Sequence, residues 1–220
     1  MYSERRSTVP GAVVWETTVA GPGRVLPDGC MDLIWMGGEV VVAGPDTRPY
    51  QVRGGRGDRY VGLRFPPGAL PGLLGVPATD LRDLRVPLAE VMDGTTALSE
   101  TVAAADDPGQ SLELFAREHA GASDSRTTTI VRQLREGRRV STVAEQVNLS
   151  ARQLHRWSLR HFGYGAKTLA RILRFQGALA LAEVEHSDAA IAVRSGYADQ
   201  AHLIRETHDL AGVSFAALVR

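Results

Sequence analysis

The spacing of apolar residues changes along the chain from a strand-like to a helix-like pattern. Between Pro10 and Phe65, short runs rich in Val, Ile, Tyr and Trp alternate with Gly and Pro, which predicts β-strands joined by turns. Gly37-Gly38 stands between two of these runs and predicts a two-residue hairpin loop. The segments that follow predict short helices over the open side of a curved sheet. Residues 1–105 are therefore predicted to form an α+β domain that is β-rich and barrel-like.

The remainder of the chain has helical spacing. Residues 111–121 predict one helix, and the polar residues 122–127 predict a linker. We therefore expect a connecting helix and linker over residues 106–126, followed by an all-α domain over residues 127–220.

The all-α part contains two segments with the pattern of a helix-turn-helix unit. Residues 127–137 predict a lead helix with a C-terminal glycine. In the first unit, a short helix turns at Asn148-Leu149 into a second helix. Ser150 and Gln153 are placed to form a capping box at the start of that second helix.

The same pattern occurs a second time near the C-terminus. Asp188 is predicted to cap the short helix of this unit, Gly196-Tyr197 to form its corner, and Asp199 to cap its second helix. Residues 163–185 lie between the units and contain no proline, which predicts one rigid amphipathic helix. Two helix-turn-helix units joined by a linker helix indicate a domain that reads DNA.

This arrangement resembles the AraC/XylS family of bacterial transcription regulators. About 80 residues carry the family's motifs in order, including S-x-R-x-L-x-R, G-x-x-x-K, R-x-x-R and G-[FY]-x-D-Q-x-H. The matching positions are Ala144, Ser150, Arg152, Leu154, Arg156, Gly163, Lys167, Arg171, Arg174, Ala178, Leu181, Ile191, Ala192, Gly196, Tyr197, Asp199, Gln200, His202, Leu203 and Arg205. The resemblance implies a homeodomain-like, sequence-specific DNA-binding domain in a protein that regulates transcription.

The sequence departs from the family pattern at positions that concern helix packing. Ser158 and Thr207 stand where the family usually has phenylalanine, and its SPxxY ending is weakened over residues 213–218. Trp157 and Phe162 are candidate substitutes for the missing ring. None of these departures removes a residue expected to face DNA.

The exposed positions on the second helix of each unit are the candidate base-reading residues, because this helix enters the major groove. They are Arg152, His155 and Arg156 in the first unit, and Gln200, Ala201, His202 and Arg205 in the second. Arginine suits guanine and glutamine suits adenine, although an arginine can also contact phosphate or only solvent. Candidate phosphate contacts are small polar or basic residues at helix ends, namely Ser150, Lys167, Thr168 and Ser195.

Two arginines of the linker helix have two possible roles. Arg171 and Arg174 lie three residues apart, and either contact DNA or form a partly buried pairing with Glu183, Glu185 or Glu145. A linker helix of about 18 residues spans ~27 Å, which suits two recognition helices that enter successive major-groove segments on one face of DNA.

The net charge of zero conceals an asymmetry between the two parts. Residues 128–220 contain 13 basic and 8 acidic side chains, whereas the rest of the chain contains 12 and 17. A basic half beside an acidic half suits one surface that meets phosphate and one domain that avoids it.

Segments of the acidic half resemble an N-terminal domain that accompanies some AraC-type regulators. These segments are residues 26–35, 44–50 and 61–77. The resemblance implies effector binding, dimerisation or both, without naming an effector. If the sheet encloses a pocket for a small molecule, the candidate lining residues are its aromatic side chains, its cysteine and two arginines: Trp15, Cys30, Trp35, Arg48, Tyr50, Arg64 and Phe65.

Two other functions remain open for this half: a dimerisation or partner-recruitment module without a ligand, and, more remotely, an enzyme. Cys30 is the only cysteine, and all six histidines lie between His119 and His208, so a Cys-His nucleophile pair or a zinc site within the domain is not expected. Asp28 and Asp32 flank Cys30 and should raise its thiol pKa. Cys30 is then either a core residue or part of a pocket wall or sensor, and no cofactor or metal is expected.

The lone cysteine excludes an internal disulfide, and the first residues lack the apolar core of a signal peptide. We therefore expect a cytoplasmic protein without a membrane partner. The expected partners are double-stranded DNA and a small-molecule effector, with RNA polymerase contact and homodimerisation left open.

Overall fold

Antiparallel β-sheets form the base of the N-terminal half. The computed structural model describes residues 2–52, 54–121 and 124–219. Its strands are β1 (Tyr2–Arg6), β2 (Val13–Thr18), β3 (Gly23–Val25), β4 (Met31–Met36), β5 (Glu39–Ala43), β6 (Tyr50–Val52), β7 (Arg59–Phe65) and β8 (Arg85–Pro87). Six strands form one sheet in the order β1-β2-β7-β4-β5-β8, and β3 pairs with β6 in a second sheet. The predicted hairpin joins β4 to β5, where both Gly37 and Gly38 have positive φ.

The two faces of the six-stranded sheet have different surroundings. Side chains alternate along each strand, so Val14, Leu33 and Leu63 point to one face and lie in the first hydrophobic core. Short helices cover this face: α1 (Leu70–Leu74), α2 (Leu88–Val91), α3 (Thr96–Ala104) and α4 (Pro108–Glu118), together with a 3-10 turn at Ala78–Leu81. The opposite face, towards the β3-β6 sheet, carries Trp15 and Asp32.

Helix α4 belongs to this first core, although the sequence placed it in the connecting segment. Leu112, Phe115 and Ala116 are buried among the residues under the sheet. Ala122 and Ser123, which belong to the predicted polar linker, lie outside the described residues. The next helix begins at Ser125, so helical structure starts within the segment predicted as linker.

The C-terminal half is entirely helical among the described residues. Its helices are α5 (Ser125–Arg135), α6 (Val140–Gln146), α7 (Ala151–Phe162), α8 (Ala166–Ala182), α9 (Asp188–Arg194), α10 (Gln200–Ala211) and α11 (Phe215–Val219). The predicted linker helix is α8, which has 17 residues. In the part of the chain described, none of these helices combines the length and apolarity needed to span a membrane.

Local capping signals explain where most of these helices begin. Ser150 and Gln153 form the predicted capping box at α7, and Asp199 accepts from the backbone N–H of His202 at α10. The prediction for α9 was wrong by one residue. Ser187 is the cap, accepting from Ala190 N, and Asp188 is the first helical residue. The helix-turn-helix corners fall where predicted, with positive φ at Asn148 and Gly196.

The positions where the family has phenylalanine are fully buried in this chain. Ser158 and Thr207 have no solvent exposure, and no described atom forms a hydrogen bond with either hydroxyl. Phe162 takes a ring into the core of the first unit, and Trp157 packs edge-on against it with 5.4 Å between ring centroids. The contact agrees with the suggestion from the sequence that Trp157 and Phe162 substitute for the phenylalanine ring missing at position 158.

The two halves pack closely against each other at the corner between α7 and α8. Gly163 ends α7 with a φ of 78°, and a Cβ on it would lie 2.6 Å from Cγ of Pro45. Gln176 on α8 donates to the carbonyl of Pro27 at 2.7 Å. The first helix-turn-helix unit therefore rests directly on loops of the β-rich half.

Candidate nucleic-acid interface and cavity

Helix α7 presents the predicted base-reading residues of the first unit to solvent. Arg152, His155 and Arg156 are all exposed, while Leu154 points into the core of the unit. The capping box fixes the start of the helix, so these side chains project from a rigid N-terminal half.

Helix α10 presents a similar surface in the second unit, with one exception. Gln200, Ala201 and Arg205 are exposed. The ring of His202 is half-buried, packs edge-on against Tyr197 at 5.1 Å, and accepts from the backbone N–H of Ala198 at its Nδ1. His202 is therefore held against the corner of its own unit and is less available to a base than its neighbours.

The predicted phosphate contacts lie at helix ends. Lys167 is exposed and Thr168 is half-buried in the first turn of α8. The Ser150 hydroxyl is engaged in capping α7, where it accepts from Gln153 N at 3.3 Å. Ser195 follows α9, and its buried hydroxyl has no hydrogen-bond partner among the described atoms.

Arg171 and Arg174 pair with a carboxylate that the sequence did not suggest. Arg171 Nε lies 2.9 Å from Oε2 of Glu206, and Arg174 Nη2 lies 2.7 Å from its Oε1. The candidates Glu183, Glu185 and Glu145 are replaced by Glu206 because α10 packs across the arginine face of α8.

This ion pair fixes the second recognition helix on the linker helix. Burial alone would raise the pKa of Glu206, but hydrogen bonds from Arg174 and Arg171 lower it overall. The carboxylate therefore stays ionised at neutral pH, and both arginines are engaged within the protein.

A cavity of about 560 Å³ lies between the six-stranded sheet and the β3-β6 sheet. One end, here called the apolar end, is formed by Val19, Ile34, Met36, Val52 and Tyr60. The other, here called the charged end, is formed by Asp28, Asp32, Asp46, Arg64 and Arg85. Strand register brings the charged residues to one end. Asp32 on β4 lies opposite Arg64 on β7 and opposite Ala43 on β5, and Ala43 in turn lies opposite Arg85 on β8.

Four of the predicted pocket residues line this cavity and three do not. Trp15, Cys30, Tyr50 and Arg64 are in its wall. Trp35 and Phe65 were wrongly assigned, since strand alternation turns both into the core on the other face of the sheet. Arg48 was also wrongly assigned, because it is exposed on the loop between β5 and β6.

Trp15 spans the middle of the cavity wall. Its ring lies over Gly62, where a Cβ would come within 2.2 Å of the indole, so only glycine leaves room for this ring position. Its Nε1–H donates to Oδ2 of Asp32 at 3.0 Å. The indole is therefore positioned at the boundary between the two ends.

Carboxylates and guanidinium groups are closely paired at the charged end. Arg85 donates to both oxygens of Asp46, at 2.9 and 2.6 Å, and its guanidinium lies 4.1 Å from the ring centroid of Tyr50. Arg64 Nε lies 3.5 Å from Asp32 Oδ1 and 3.7 Å from Asp28 Oδ2. The acids outnumber the bases in this end of the cavity.

Burial raises the pKa of several groups in this wall, among them Asp32, Asp46 and Cys30. It raises the pKa of Asp32 to about 6, although Arg64 partly offsets the effect. Burial and the neighbouring Asp28 raise the pKa of the Cys30 thiol well above its usual range, as the sequence suggested. Cys30 therefore remains a neutral thiol at neutral pH.

The sequence reasoning missed Asp32, Asp46 and Arg85 as cavity residues. Asp32 carried a usable signal, because it alternates with Ile34 and Met36 within an apolar strand and so had to face the same side. No comparable signal marks Asp46 or Arg85, which meet only through the pairing of β5 with β8.

Two protein-family models match parts of the chain, one in each half. Residues 143–220 match the model of a helix-turn-helix domain family, and residues 12–87 match that of a domain of unknown function, DUF6597. No curated protein matches the chain in sequence.

Over its whole length the chain is similar in fold to ToxT from Vibrio cholerae. An apo variant from strain SCE256 has a TM-score of 0.51 at 11% identity, with 97% of this chain and 98% of that chain covered. A 1.65 Å structure has a TM-score of 0.50 at 9% identity, with coverages of 99% and 97%. These matches confirm the predicted fold, a β-rich domain followed by a helical domain with helix-turn-helix units.

Proposed function

We propose that this chain, a DNA-binding transcription regulator with an AraC-type helix-turn-helix domain, is controlled by a small molecule in the cavity of its β-rich half. The observation that carries the proposal is the construction of the cavity wall. Asp28 and Cys30 line the cavity, while the intervening Gly29 packs on Leu169 of α8. A ligand that moves this loop must also move the support of the DNA-binding helices.

A second loop has the same construction. Gly44 and Asp46 line the cavity, and Pro45 between them contacts Gly163 at the end of recognition helix α7. To regulate, a ligand must bind the DNA-competent and DNA-incompetent arrangements with different affinity. Two loops that contact both the ligand space and α7–α8 provide a physical basis for such a difference.

These contacts suggest which part of the chain binds the ligand and which part binds DNA. Residues 1–105 together with α4 form the sensing part, and residues 127–220 form the DNA-binding part. An enzyme is disfavoured because the Cys30 thiol is neutral and no histidine is among the described residues that line the cavity. We place the protein in the cytoplasm, with RNA polymerase and a second copy of the chain as further candidate partners.

The proposed DNA contacts use both recognition helices. Arg152 and Arg156 are assigned to guanine and Gln200 to adenine, each good bidentate pair giving about 1–3 kcal/mol of discrimination. Helix α8, at 17 residues, is about 26 Å long. One monomer then reads two successive major-groove segments, and a bipartite site need not be palindromic.

Replacing Arg156 by alanine should relax base preference within one half of the site and cost about 1–3 kcal/mol on the preferred sequence. The reason is that Arg156 is exposed on the first turns of α7, where a recognition helix meets base edges. Lys167→Ala should weaken binding to all sequences alike and reduce the salt dependence, because it removes a phosphate contact. Both effects can be measured by selecting duplexes from a random pool and titrating them at several salt concentrations.

The matched control is Arg117→Ala, which removes an exposed arginine from α4 in the other half of the chain. It should leave both the selected sequences and the affinity unchanged. If Arg156→Ala and the parent select identical sequences, Arg156 is a phosphate contact or only a surface residue.

Ligand entry should be reported by Trp15 and not by Trp35, because only the first indole lines the cavity. In a metabolite screen with the full chain, a ligand should quench tryptophan emission in the parent and in Trp35→Phe. The quenching should be lost in Trp15→Phe.

A ligand that passes this test should also change the affinity for the selected duplex. If screening gives no ligand-dependent change in either signal, the cavity has no regulatory role and the β-rich half acts in dimerisation or partner recruitment.

A further inference from the structure

We infer that the cavity selects an apolar ligand with a positively charged amine head group, and that Asp32 is the residue that recognises the amine. The inference rests on the proposed function and assigns a chemical class to its ligand. From the sequence, Arg48 or Arg64 would be expected to anchor an anionic or carbonyl group. In the structure Arg48 lies outside the cavity and Arg64 faces three carboxylates, so a different ligand class is favoured.

The first step concerns the two arginines of the charged end, each of which already faces carboxylates of the protein. Three carboxylates lie within 3.7 Å of Arg64, from Glu4, Asp28 and Asp32. Both terminal nitrogens of Arg85 donate to the carboxylate of Asp46, and its guanidinium group stacks on the ring of Tyr50. Although Nε of Arg64 has no hydrogen-bond partner among the described atoms, the charge of both guanidinium groups is already offset by carboxylates. An incoming carboxylate would therefore be repelled by these neighbouring acids.

The second step concerns Asp32, whose carboxylate is held in place with one oxygen left available. Trp15 donates to Oδ2 at 3.0 Å, which fixes the orientation of the group. Oδ1 faces Arg64 Nε at 3.5 Å, too long for a normal charge-assisted hydrogen bond. Asp32 is 8% exposed and lies in the cavity wall, so a donor that reaches Oδ1 comes from the cavity.

The third step concerns the position of Asp32, which is an acid at a buried site where loss of solvent disfavours its ionised form. Burial raises the pKa of Asp32 to about 6, so its ionised form is less favourable in the cavity wall than in water. A buried titratable group in a cavity with such a shift marks a candidate binding residue. An ammonium group next to Oδ1 would add a positive charge to an end where three aspartates face two arginines, and it would donate a hydrogen bond that Arg64 is too distant to form well.

The fourth step is the shape of the remaining space. The apolar end continues from Asp32 along the same face of β4 through Ile34 and Met36. Trp15 lies between the two ends, with its ring over Gly62 and its Nε1–H on Asp32. A ligand with an apolar or aromatic body and a terminal amine fits this order of groups.

The test uses three probes with one body and different head groups: 4-phenylbutylamine, 4-phenylbutan-1-ol and 4-phenylbutanoate. Binding to the full chain is measured by calorimetry and by Trp15 quenching at neutral pH. We expect the amine to bind about tenfold more tightly than the carboxylate, with the alcohol between them.

Asp32→Asn supplies the specific variant, because its amide oxygen can still accept from Trp15 while the charge is removed. We expect it to fold and to bind the alcohol as before, with little remaining difference between amine and carboxylate. Glu39→Gln is the matched control, since Glu39 is an exposed acid at the start of the neighbouring strand β5. It should keep the full preference for the amine.

The inference is overturned if the carboxylate binds as well as the amine, if Asp32→Asn keeps the preference, or if none of the three probes binds at millimolar concentration. A preference for the alcohol or the carboxylate would still leave ligand control of DNA binding in place. Tight binding of the amine with no effect on affinity for the selected duplex would instead contradict the proposed function and support the ligand class.

Discussion

Replacing Phe162 by alanine is expected to lower the free energy of unfolding by about 3–5 kcal/mol, since a fully buried aromatic ring is removed from a packed core. Phe162 is 1% exposed at the end of recognition helix α7. The ring of Phe162 packs against Trp157. Its edge also lies next to Gly68 of the β-rich half, close to Thr127 of α5. Truncation would leave a cavity where the two halves meet, so it should weaken the first helix-turn-helix unit and its docking together.

Urea unfolding followed by tryptophan emission measures this change, because Trp157 is in direct contact with the ring. Phe162→Leu is the matched control, since it keeps much of the volume and should cost less than half as much. If Phe162→Ala changes the stability by less than about 1 kcal/mol, the ring does not hold the two halves together.

The DNA-binding domain could be predicted closely because its signals are local. The capping box at Ser150 and the corners at Asn148 and Gly196 each depend on residues within one or two turns of the chain. The error in the cap of α9, Asp188 for Ser187, also has a local origin. Both residue types accept backbone N–H groups, and adjacent positions cannot be separated without the helix axis.

The cavity could be predicted only in part, because sheet register decides which face of a strand meets which neighbour. Strand alternation places Trp15 and Trp35 each on one face of its own strand. The pattern does not say which face is covered by helices and which by the β3-β6 sheet. That choice is made by the order of strands in the sheet, in which β7 lies between β2 and β4.

Contacts between distant parts of the chain were not accessible from the sequence. Glu206 meets Arg171 and Arg174 across 35 and 32 positions, and Pro45 meets Gly163 between the two halves. Each of these contacts needs a correct tertiary arrangement before it can be seen. They are also the contacts that connect the cavity wall to α7 and the linker helix to α10.

Replacing Glu113 by glutamine is expected to cost about 2–3 kcal/mol at pH 7, and less than half of that at pH 3. Glu113 is 4% exposed on α4 and holds the N-terminal segment against it. Its oxygens accept from Arg5 Nη2 at 2.8 Å, Ser7 Oγ at 2.7 Å and Thr8 N at 2.6 Å. Burial alone would raise the pKa of Glu113, but these hydrogen bonds lower it to about 2.

The direction of the pH effect follows from that lowered pKa. Stability gained from an ionised carboxylate is fully present above the unfolded pKa of about 4.5 and is lost as the pH falls towards 2. Urea unfolding of the parent and Glu113→Gln at pH 7 and pH 3 measures the difference, with Glu118→Gln as a control on an exposed acid of the same helix. A difference that stays the same at both pH values would show that the shape of the side chain, and not its charge, holds the N-terminal strand in place.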